Sequence, residues 1–215
     1  MSVRIAFGAV YQTKTHSKFD NGDMTVNFTD HPFLKQKVRY TAEVDGFTFA
    51  SQAGVGLAWR PASPWVVALD VKRYFWDDAI DTITVKGRDP NVQGAPSTIE
   101  LPFVFNWKDQ WVYALGADYR ATDRLTLRAG YNHGSNPVPS GTLTPLFPAT
   151  VERHASLGFG WLFGNRTYDF ALERAFNKRL VNDNTNPAVT PFGPGSCVDH
   201  SQWTLSIGAS WVVDR

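Results

Sequence analysis

Two groups of side chains in this chain are of types that could do chemistry, and the first is a serine close to a histidine. Ser156 follows His154 by two residues, and on a strand this spacing places both side chains on one face. A hydroxyl activated by an imidazole is a nucleophile, but such a site also needs a third polar group that orients the histidine. No nucleophile motif accompanies the pair. We therefore predict no catalytic residue, and we interpret His154 as a polar side chain in water.

The second group is acidic. Asp77, Asp78 and Asp81 lie close together in sequence, and their carboxylates could hold a divalent cation. A solvated loop is the simpler interpretation. Three other histidines are scattered without the spacing of metal ligands: His16, His31 and His200. The single cysteine, Cys197, cannot form an internal disulfide. We predict no metal site and no cofactor.

The elements that would position these groups are strands with one large apolar face and one small or polar face. In the last of them, Trp203, Leu205 and Ile207 alternate with Thr204 and Ser206. Successive side chains of a strand point to opposite faces, so the pattern separates an apolar side from a wet one. The same alternation predicts eight antiparallel strands joined as hairpins: 3–12, 48–60, 65–76, 109–121, 124–133, 153–163, 167–177 and 203–213.

A membrane barrel explains these strands better than a soluble β-sandwich, which also alternates. The apolar faces carry Trp, Tyr and Phe at the strand ends, as in interfacial aromatic girdles. The strands have the roughly 9–11 residues needed to cross a bilayer when tilted. Short turns (61–64, 121–124, 164–167) alternate with long loops (13–47, 77–109, 132–153, 177–202), which is typical of bacterial outer-membrane barrels.

The predicted fold is therefore an all-β, transmembrane antiparallel β-barrel of the bacterial outer membrane, with residues 1–215 as one domain. Segments 22–29 and 37–45 are expected to form a hairpin above the membrane. The 215 residues are 43% hydrophobic and carry a net charge of +1. The sequence contains no run of 18 apolar residues, which argues against a transmembrane helix. The low net charge and the lack of a basic stripe give no electrostatic reason to expect nucleic-acid binding.

Four segments of the chain carry a family resemblance: RIAFGAVYQTKT (4–15), FASQAGVGLAWRPASPWVVALDVKRYFWDD (49–78), WKDQWVYALGADYRATDRLTLRAGYNHGSNPVP (107–139) and PATVERHASLGFGWLF (148–163). They resemble the FadL/TodX family of outer-membrane channels for hydrophobic compounds. Their order and spacing carry the resemblance over nearly the whole chain. It implies a fourteen-stranded barrel, closed by an N-terminal hatch, that moves long-chain fatty acids or aromatic hydrocarbons inward.

By comparison with that family, the chain is expected to be the C-terminal eight strands, a fragment or truncated relative. The inward faces support a wide barrel, because a closed eight-stranded barrel must be filled by side chains and glycine fills no space. The predicted inward glycines near mid-strand are Gly8, Gly54, Gly56, Gly116, Gly130, Gly158, Gly160 and Gly208. The hatch residues of the family correspond to no position here and are not carried over.

Charged side chains fall on the predicted lumen face. They are Arg4, Asp70, Lys72, Asp118, Arg120, Arg128, Asp169 and Glu173. We expect opposite charges to pair across neighbouring strands, and a fatty-acid carboxylate could use one of the arginines. Apolar residues in the long loops form a candidate capture surface for hydrophobic solutes, or pack on one another to keep the loops compact: Phe33, Leu34, Leu101, Phe103, Phe105, Leu146 and Phe147.

The function predicted from these features is passive uptake of hydrophobic small molecules, with membrane lipid and lipopolysaccharide as further partners. The alternative is a small structural or adhesion barrel whose loops bind partners. An outer-membrane enzyme is the least favoured class, since no preorganised acid, base or nucleophile is visible. The sequence does not specify an oligomeric state.

Overall fold

Twelve β-strands and one short 3₁₀ helix make up the chain in a computed structural model, which describes residues 4–61, 63–187, 189–190 and 192–211. The strands are β1 (Arg4–Gln12), β2 (Thr15–Asn27), β3 (Lys37–Phe49), β4 (Ser51–Arg60), β5 (Trp65–Phe75), β6 (Thr82–Arg88), β7 (Thr98–Val104), β8 (Gln110–Arg120), β9 (Leu125–Gly134), β10 (Arg153–Phe163), β11 (Arg166–Val181) and β12 (Cys197–Trp211). The helix spans Ser140–Thr142. In the described ranges no helix has the length and apolarity needed to cross a membrane.

The larger of two sheets has eight strands in the order β1-β4-β5-β8-β9-β10-β11-β12, and every neighbouring pair is antiparallel. The predicted all-β class and antiparallel order are confirmed. Short turns join its strands at one end, and the long segments lie at the other, which we call the long-loop end. Within the described residues β1 and β12 form the two edges and do not pair with each other. The sheet is therefore open.

The smaller sheet lies at the long-loop end, with the strand order β2-β3-β6-β7. The hairpin predicted from segments 22–29 and 37–45 is confirmed as β2 and β3, which pair from Thr15 opposite Phe49 to Asn27 opposite Lys37. The prediction of eight strands is wrong for the chain as a whole, because the long segments contain four more. β6 and β7 were missed since each has only seven residues and β7 contains Pro102. That proline is tolerated because β7 is an edge strand of this sheet.

The faces of the eight-stranded sheet follow the predicted alternation. Leu115 lies opposite Leu69 on one side and Tyr131 on the other, so large apolar side chains form continuous outward rows. The same register places Gly116 opposite Gly130 on the inward face. No described segment covers the outward side chains: Leu157 is 69% exposed and Leu115 is 53% exposed. A sheet with its large apolar face uncovered matches a wall that faces lipid.

A buried apolar core lies beside the smaller sheet, within the long segments. Its residues are Ile80, Ile83, Phe105, Trp107, Val138, Leu143 and Val198. Leu180 packs against it because β11 contains a bulge: Ala175 pairs with Gln202, but the next pair is Lys178 with His200. The extra residue reverses which side chains of β11 face inward beyond the bulge, so Leu180 faces the core beside its register partner Val198 of β12.

Candidate functional site

A continuous series of aromatic rings runs from the surface of the long segments toward the inward face of the large sheet. Phe19 and Phe49 form its outer end, and both are more than half exposed. Their ring centroids lie 6.0 Å and 5.2 Å from that of Phe47. Phe47 contacts Phe147 at 6.2 Å, and Phe147 contacts the buried Phe105 at 5.4 Å. The outer half of the series therefore leads from solvent into the core.

The inner half continues with tryptophans. The centroids of Phe105 and Trp107 are 6.1 Å apart, those of Trp107 and Trp76 are 5.1 Å apart, and those of Trp76 and Tyr74 are 6.2 Å apart. Tyr74 lies on the inward face of β5, opposite Gln52 and Gln110. We call the rings from Phe19 to Tyr74 the aromatic series. It ends at the long-loop end of the inward face.

Strand pairing explains why the two tryptophans meet. Trp76 directly follows β5, Trp107 shortly precedes β8, and these strands are neighbours in the large sheet. Backbone hydrogen bonds then fold the second segment onto the first: the Phe105 and Trp107 amides donate to the carbonyl oxygens of Asp81 and Ile80, at 2.7 Å and 3.2 Å. The inner aromatic series is thus fixed by main-chain contacts as well as by packing.

A cavity of about 260 Å³ lies where the aromatic series reaches the large sheet. Trp76, Trp107, Gln110, His154 and His200 are among the residues that line it, with prolines and alanines between them. The indole N–H groups of both tryptophans are buried and have no hydrogen-bond partner in the described part of the chain. The cavity therefore combines apolar walls with a few polar groups, the usual composition of a small-molecule site.

Hydrogen bonds orient the two histidines of this cavity. His200 Nδ1 lies 3.0 Å from the Pro148 carbonyl oxygen, which can only accept, so Nδ1 carries a proton. His154 Nδ1 lies 3.0 Å from Asn132 Oδ1. Ser156 shares the inward face with His154, but among the described residues no hydrogen bond joins the two side chains. The arrangement holds each imidazole in place and forms no nucleophilic pair.

His154 also lines a second cavity of about 220 Å³, which lies further along the inward face. Asp70, Asn132, Ser156 and Glu173 are among its other lining residues. The two cavities share His154 and succeed one another from the long-loop end toward the middle of the sheet. Together with the aromatic series they form a continuous row from the long segments to the inward face.

The structure brings three of the predicted lumen charges together. The Arg128 guanidinium lies 2.5 Å from an oxygen of Asp169 and 3.9 Å from one of Asp118. Gly160 makes room for this contact, because a Cβ built there would lie 2.8 Å from Asp169 Oδ1 and 3.1 Å from Arg128 Nη2. Because Gly160 has no side chain, Arg128 of β9 and Asp169 of β11 can meet over β10, the strand between them.

The other predicted lumen charges are not paired in this way. Within the described ranges no ion pair forms at Arg4, Asp70, Lys72, Arg120 or Glu173. Arg4 lies opposite Arg60, so β4 places no acidic residue directly across from it. Lys72 and Asp70 instead line a trough of about 510 Å³ along the inward faces of β1, β4 and β5.

The seven apolar loop residues of the predicted capture surface differ in burial. Phe105 is only 1% exposed and belongs to the core, so its inclusion in an exposed surface is wrong; a phenylalanine there gains more by burial than a loop gains by displaying it. Leu34 and Phe103 are half-buried. Four others are exposed: Phe33, Leu101, Leu146 and Phe147. Only Phe147 of these joins the aromatic series, while Phe33 packs on His31 in a separate turn.

Sequence reasoning missed Phe19, Phe47, Trp76 and Trp107 as parts of this route. Trp76 and Trp107 carried a usable signal, because they flank the ends of two strands predicted to be neighbours. Phe19 and Phe47 carried none, since their contact depends on the register of a hairpin with two irregularities.

The acidic cluster does not assemble as a cation site. Asp77 turns toward Asp109, and the hydrogen bond between the two carboxyl groups raises the pKa of Asp77. Burial opposes ionisation of Asp109, but hydrogen bonds from Asp77 and Arg73 outweigh it and hold the pKa of Asp109 below its usual value. The described residues include no group of three or more His, Cys, Asp or Glu side chains that could hold a metal ion.

Comparisons with known proteins agree with this geometry. The profile of the family described as outer membrane protein transport protein (OMPP1/FadL/TodX) matches residues 1–211. A search of curated proteins found no significant match. Among solved structures, the deltaS2S3 mutant of the TodX monoaromatic hydrocarbon channel is 25% identical with a TM-score of 0.74, over 96% of this chain and 46% of its own.

Two further structures share the fold. The P. putida toluene transporter TodX is 22% identical with a TM-score of 0.71, over 98% of this chain and 46% of its own. A Pseudomonas aeruginosa FadL homologue is 19% identical with a TM-score of 0.70, over 97% of this chain and 49% of its own.

The chain thus spans about half the length of the solved relatives it matches. The family consists of outer-membrane transport channels and not of enzymes. With its profile matching almost the whole chain, and with an outward apolar wall that suits lipid, the chain belongs to the OMPP1/FadL/TodX family of bacterial outer-membrane channels for hydrophobic compounds.

Proposed function

We propose that this chain forms the outer part of a route by which aromatic hydrocarbons or the acyl chains of fatty acids enter passively across the outer membrane. The aromatic series is the observation that carries the proposal. Its neighbouring ring centroids are never more than 6.2 Å apart, from the exposed Phe19 to Tyr74 on the inward face. An apolar solute can pass from ring to ring without returning fully to water.

The aromatic series is exposed at its outer end and buried at Phe105. Phe19 is 55% exposed, Phe147 is 41% exposed and Phe105 is 1% exposed. An apolar solute that moves from water onto the exposed outer rings gains about 25 cal/mol per Å² of apolar surface removed from water. Passage beyond Phe147 requires the packed rings around Phe105 to separate, and the cavity lined by Trp76 and Trp107 then receives the solute. No step requires a cofactor or a covalent bond.

We further propose that this sheet is part of a larger barrel. Its two edges, β1 and β12, present unpaired main-chain groups, and such edges are strongly disfavoured in lipid. The solved relatives are about twice as long as this chain, which supports additional strands that pair with these edges. In such a barrel the trough along β1, β4 and β5 would face the lumen, where Lys72 could hold a fatty-acid carboxylate.

Uptake measurements with matched loop variants test the route. Cells without other channels of this kind would express the full-length gene, and entry of a labelled alkylbenzene and a labelled long-chain fatty acid would be followed. Phe147→Ser interrupts the aromatic series, so we expect uptake to slow several-fold. Phe33→Ser removes a loop phenylalanine that is exposed to 89%, against 41% for Phe147, and lies outside the series, so it should leave uptake unchanged.

Expression of this 215-residue chain alone is the second arm of the experiment. We expect it to support no uptake, because its open sheet would leave two unpaired edges. Equal uptake in the two phenylalanine variants would contradict the route, and uptake by the short chain would contradict the larger barrel. Failure of the full-length gene to support uptake of either compound would contradict transport itself.

A further inference from the structure

We propose that two arginines and a histidine on the outward face of β9–β11 bind the phosphate groups of lipopolysaccharide. The residues are His133, Arg153 and Arg174, which we call the basic cluster. His133 and Arg153 lie at the long-loop ends of β9 and β10, and Arg174 lies midway along the longer β11, directly before its bulge. Long loops of outer-membrane barrels face the exterior, so on the proposed membrane topology the cluster lies toward the outer leaflet, whose main lipid in Gram-negative bacteria is lipopolysaccharide.

Register places the three side chains together on the lipid-facing side. Arg153 is directly opposite His133, and Arg174 is opposite Ala155, two residues further along β10. Directly opposed residues have Cβ atoms about 4.5–5.5 Å apart, and diagonal neighbours are about 7–8 Å apart. All three share the outward face with Tyr131 and Leu157, which are 46% and 69% exposed. One phosphate group can therefore contact side chains from adjacent strands.

The two arginines lack the acidic partners that lipid-facing charges usually need. In the described part of the chain, no carboxylate oxygen lies within the 4.0 Å of an ion pair from Arg153 or Arg174. Like charges at neighbouring positions repel, and unpaired charge beside hydrocarbon is costly. An anionic lipid headgroup is the counter-charge that this surface can recruit from its own surroundings.

Arg73 is an outward-facing arginine whose charge is neutralised by a carboxylate of the same chain. It also lies on the outward face near the long-loop end, with its guanidinium 4.9 Å from the Phe75 ring centroid and 5.4 Å from that of Trp111. Its Nη2 is 2.6 Å from Asp109 Oδ2. Among the residues that the structure describes, a carboxylate neutralises Arg73 and none neutralises the two arginines of the basic cluster.

An aromatic contact orients the cluster. The Arg174 guanidinium lies 5.0 Å from the Trp203 ring centroid, and the two residues are opposite each other on β11 and β12. A guanidinium held over a ring keeps its N–H groups free at its edge, and their fork matches two phosphate oxygens. Arg153 is exposed beside it. Charge, geometry and position at the aromatic girdle all favour a lipid phosphate as the occupant.

Binding of lipid A measures this directly. The protein would be extracted from outer membranes in mild detergent, and its affinity for lipid A with both phosphates would be compared with that for dephosphorylated lipid A. We expect the double variant R153Q/R174Q to bind lipid A about tenfold more weakly or worse, since each arginine forms charge-assisted hydrogen bonds. R73Q should bind within about twofold of the unaltered protein, because Asp109 already neutralises Arg73.

Two further measurements keep the result interpretable. R153K/R174K retains the charge, so it should recover most of the affinity, and heat-dependent migration in detergent gels confirms that each variant is folded. Dephosphorylated lipid A should bind the unaltered protein as weakly as lipid A binds R153Q/R174Q. Unchanged affinity in R153Q/R174Q, an equal loss in R73Q, or phosphate-independent binding would overturn the proposal. None of these outcomes depends on transport of hydrophobic compounds.

Discussion

The eight-stranded sheet and the long segments above it use the same alternation in opposite ways. In the large sheet the big apolar side chains point out of the protein, and Ile207 is 78% exposed. In β3 the corresponding positions point inward, and Val38 is fully buried. Alternation of apolar and polar residues along a strand therefore indicates that its two faces differ. Whether the apolar face contacts lipid or protein depends on what covers it.

The two regions also differ in where their polar groups lie. The large sheet keeps Arg128, Asp118 and Asp169 on its inward face, where water can solvate the charges that are not fully paired. The long segments bury their apolar residues instead, with Phe105 and Trp107 packed in a single core. Substitutions that are harmless in one region should consequently be damaging in the other.

The largest effect on stability is expected in the buried core of the long segments. Phe105→Ala should destabilise this region by about 3–5 kcal/mol, because it removes a buried ring and leaves a cavity. Limited proteolysis of the long segments against denaturant concentration would measure the loss. Leu101→Ala, on the neighbouring β7 but 43% exposed, serves as the control and should cost far less. A similar cost for both would mean that the long segments have no organised core.

A smaller but still large effect is expected on the lipid-facing side of the sheet. Leu115→Arg should cost about 2–4 kcal/mol in lipid, since it places a charge in hydrocarbon near the middle of β8. Ser156→Arg points inward near the middle of β10 and should cost much less. Folding titrations of the two variants in lipid vesicles would compare them. Equal costs would show that the faces are reversed and that the sheet belongs to a soluble protein.

The smallest effect is expected at the junction, where Asp77 follows β5. Its pKa is raised by the hydrogen bond to Asp109, so its ionised form is less favourable in the folded protein than in the unfolded chain. Stability is therefore lost as pH rises from the ordinary aspartate value of about 3.9 through the higher folded pKa. Asp77→Asn should raise the Tm slightly at neutral pH and leave it unchanged at about pH 3.

Thermal melts of the two proteins at both pH values measure this difference. Asp30→Asn, an exposed residue in a separate turn, is the matched control, and Asp77→Asn should raise the Tm at neutral pH by more than this control does. A lower Tm for Asp77→Asn at neutral pH would mean that the Asp77 carboxylate stabilises the junction.

The sequence was sufficient to predict most of the large sheet, because alternation, turn length and aromatic strand ends are local properties. Leu115, Leu157 and Ile207 all face the way their spacing indicates. The structure of the long segments was predicted less well. Phe105 is buried only because distant segments around Ile80 and Leu143 converge on it, and no local pattern reports such a contact.

The candidate site shows the same division. The inward placement of His154 and Arg128 follows from strand parity. The aromatic series does not, since Phe47 and Phe147 are a hundred residues apart in the chain and meet through tertiary packing. Ion pairing was predictable for Arg128 but not for Arg4, whose partner depends on the register between β1 and β4.

The bulge in β11 bears on how sequences of relatives should be aligned. Even-numbered residues such as Phe170 and Leu172 face outward before it, and odd-numbered residues such as Arg179 face outward after it, yet pairing with β12 is regular on both sides. A relative that lacks one residue at 176–177 would keep every neighbouring side chain in its present environment. A gap of the same length within 166–174 would exchange lipid-facing and lumen-facing residues, so insertions and deletions in this family should accumulate at the bulge.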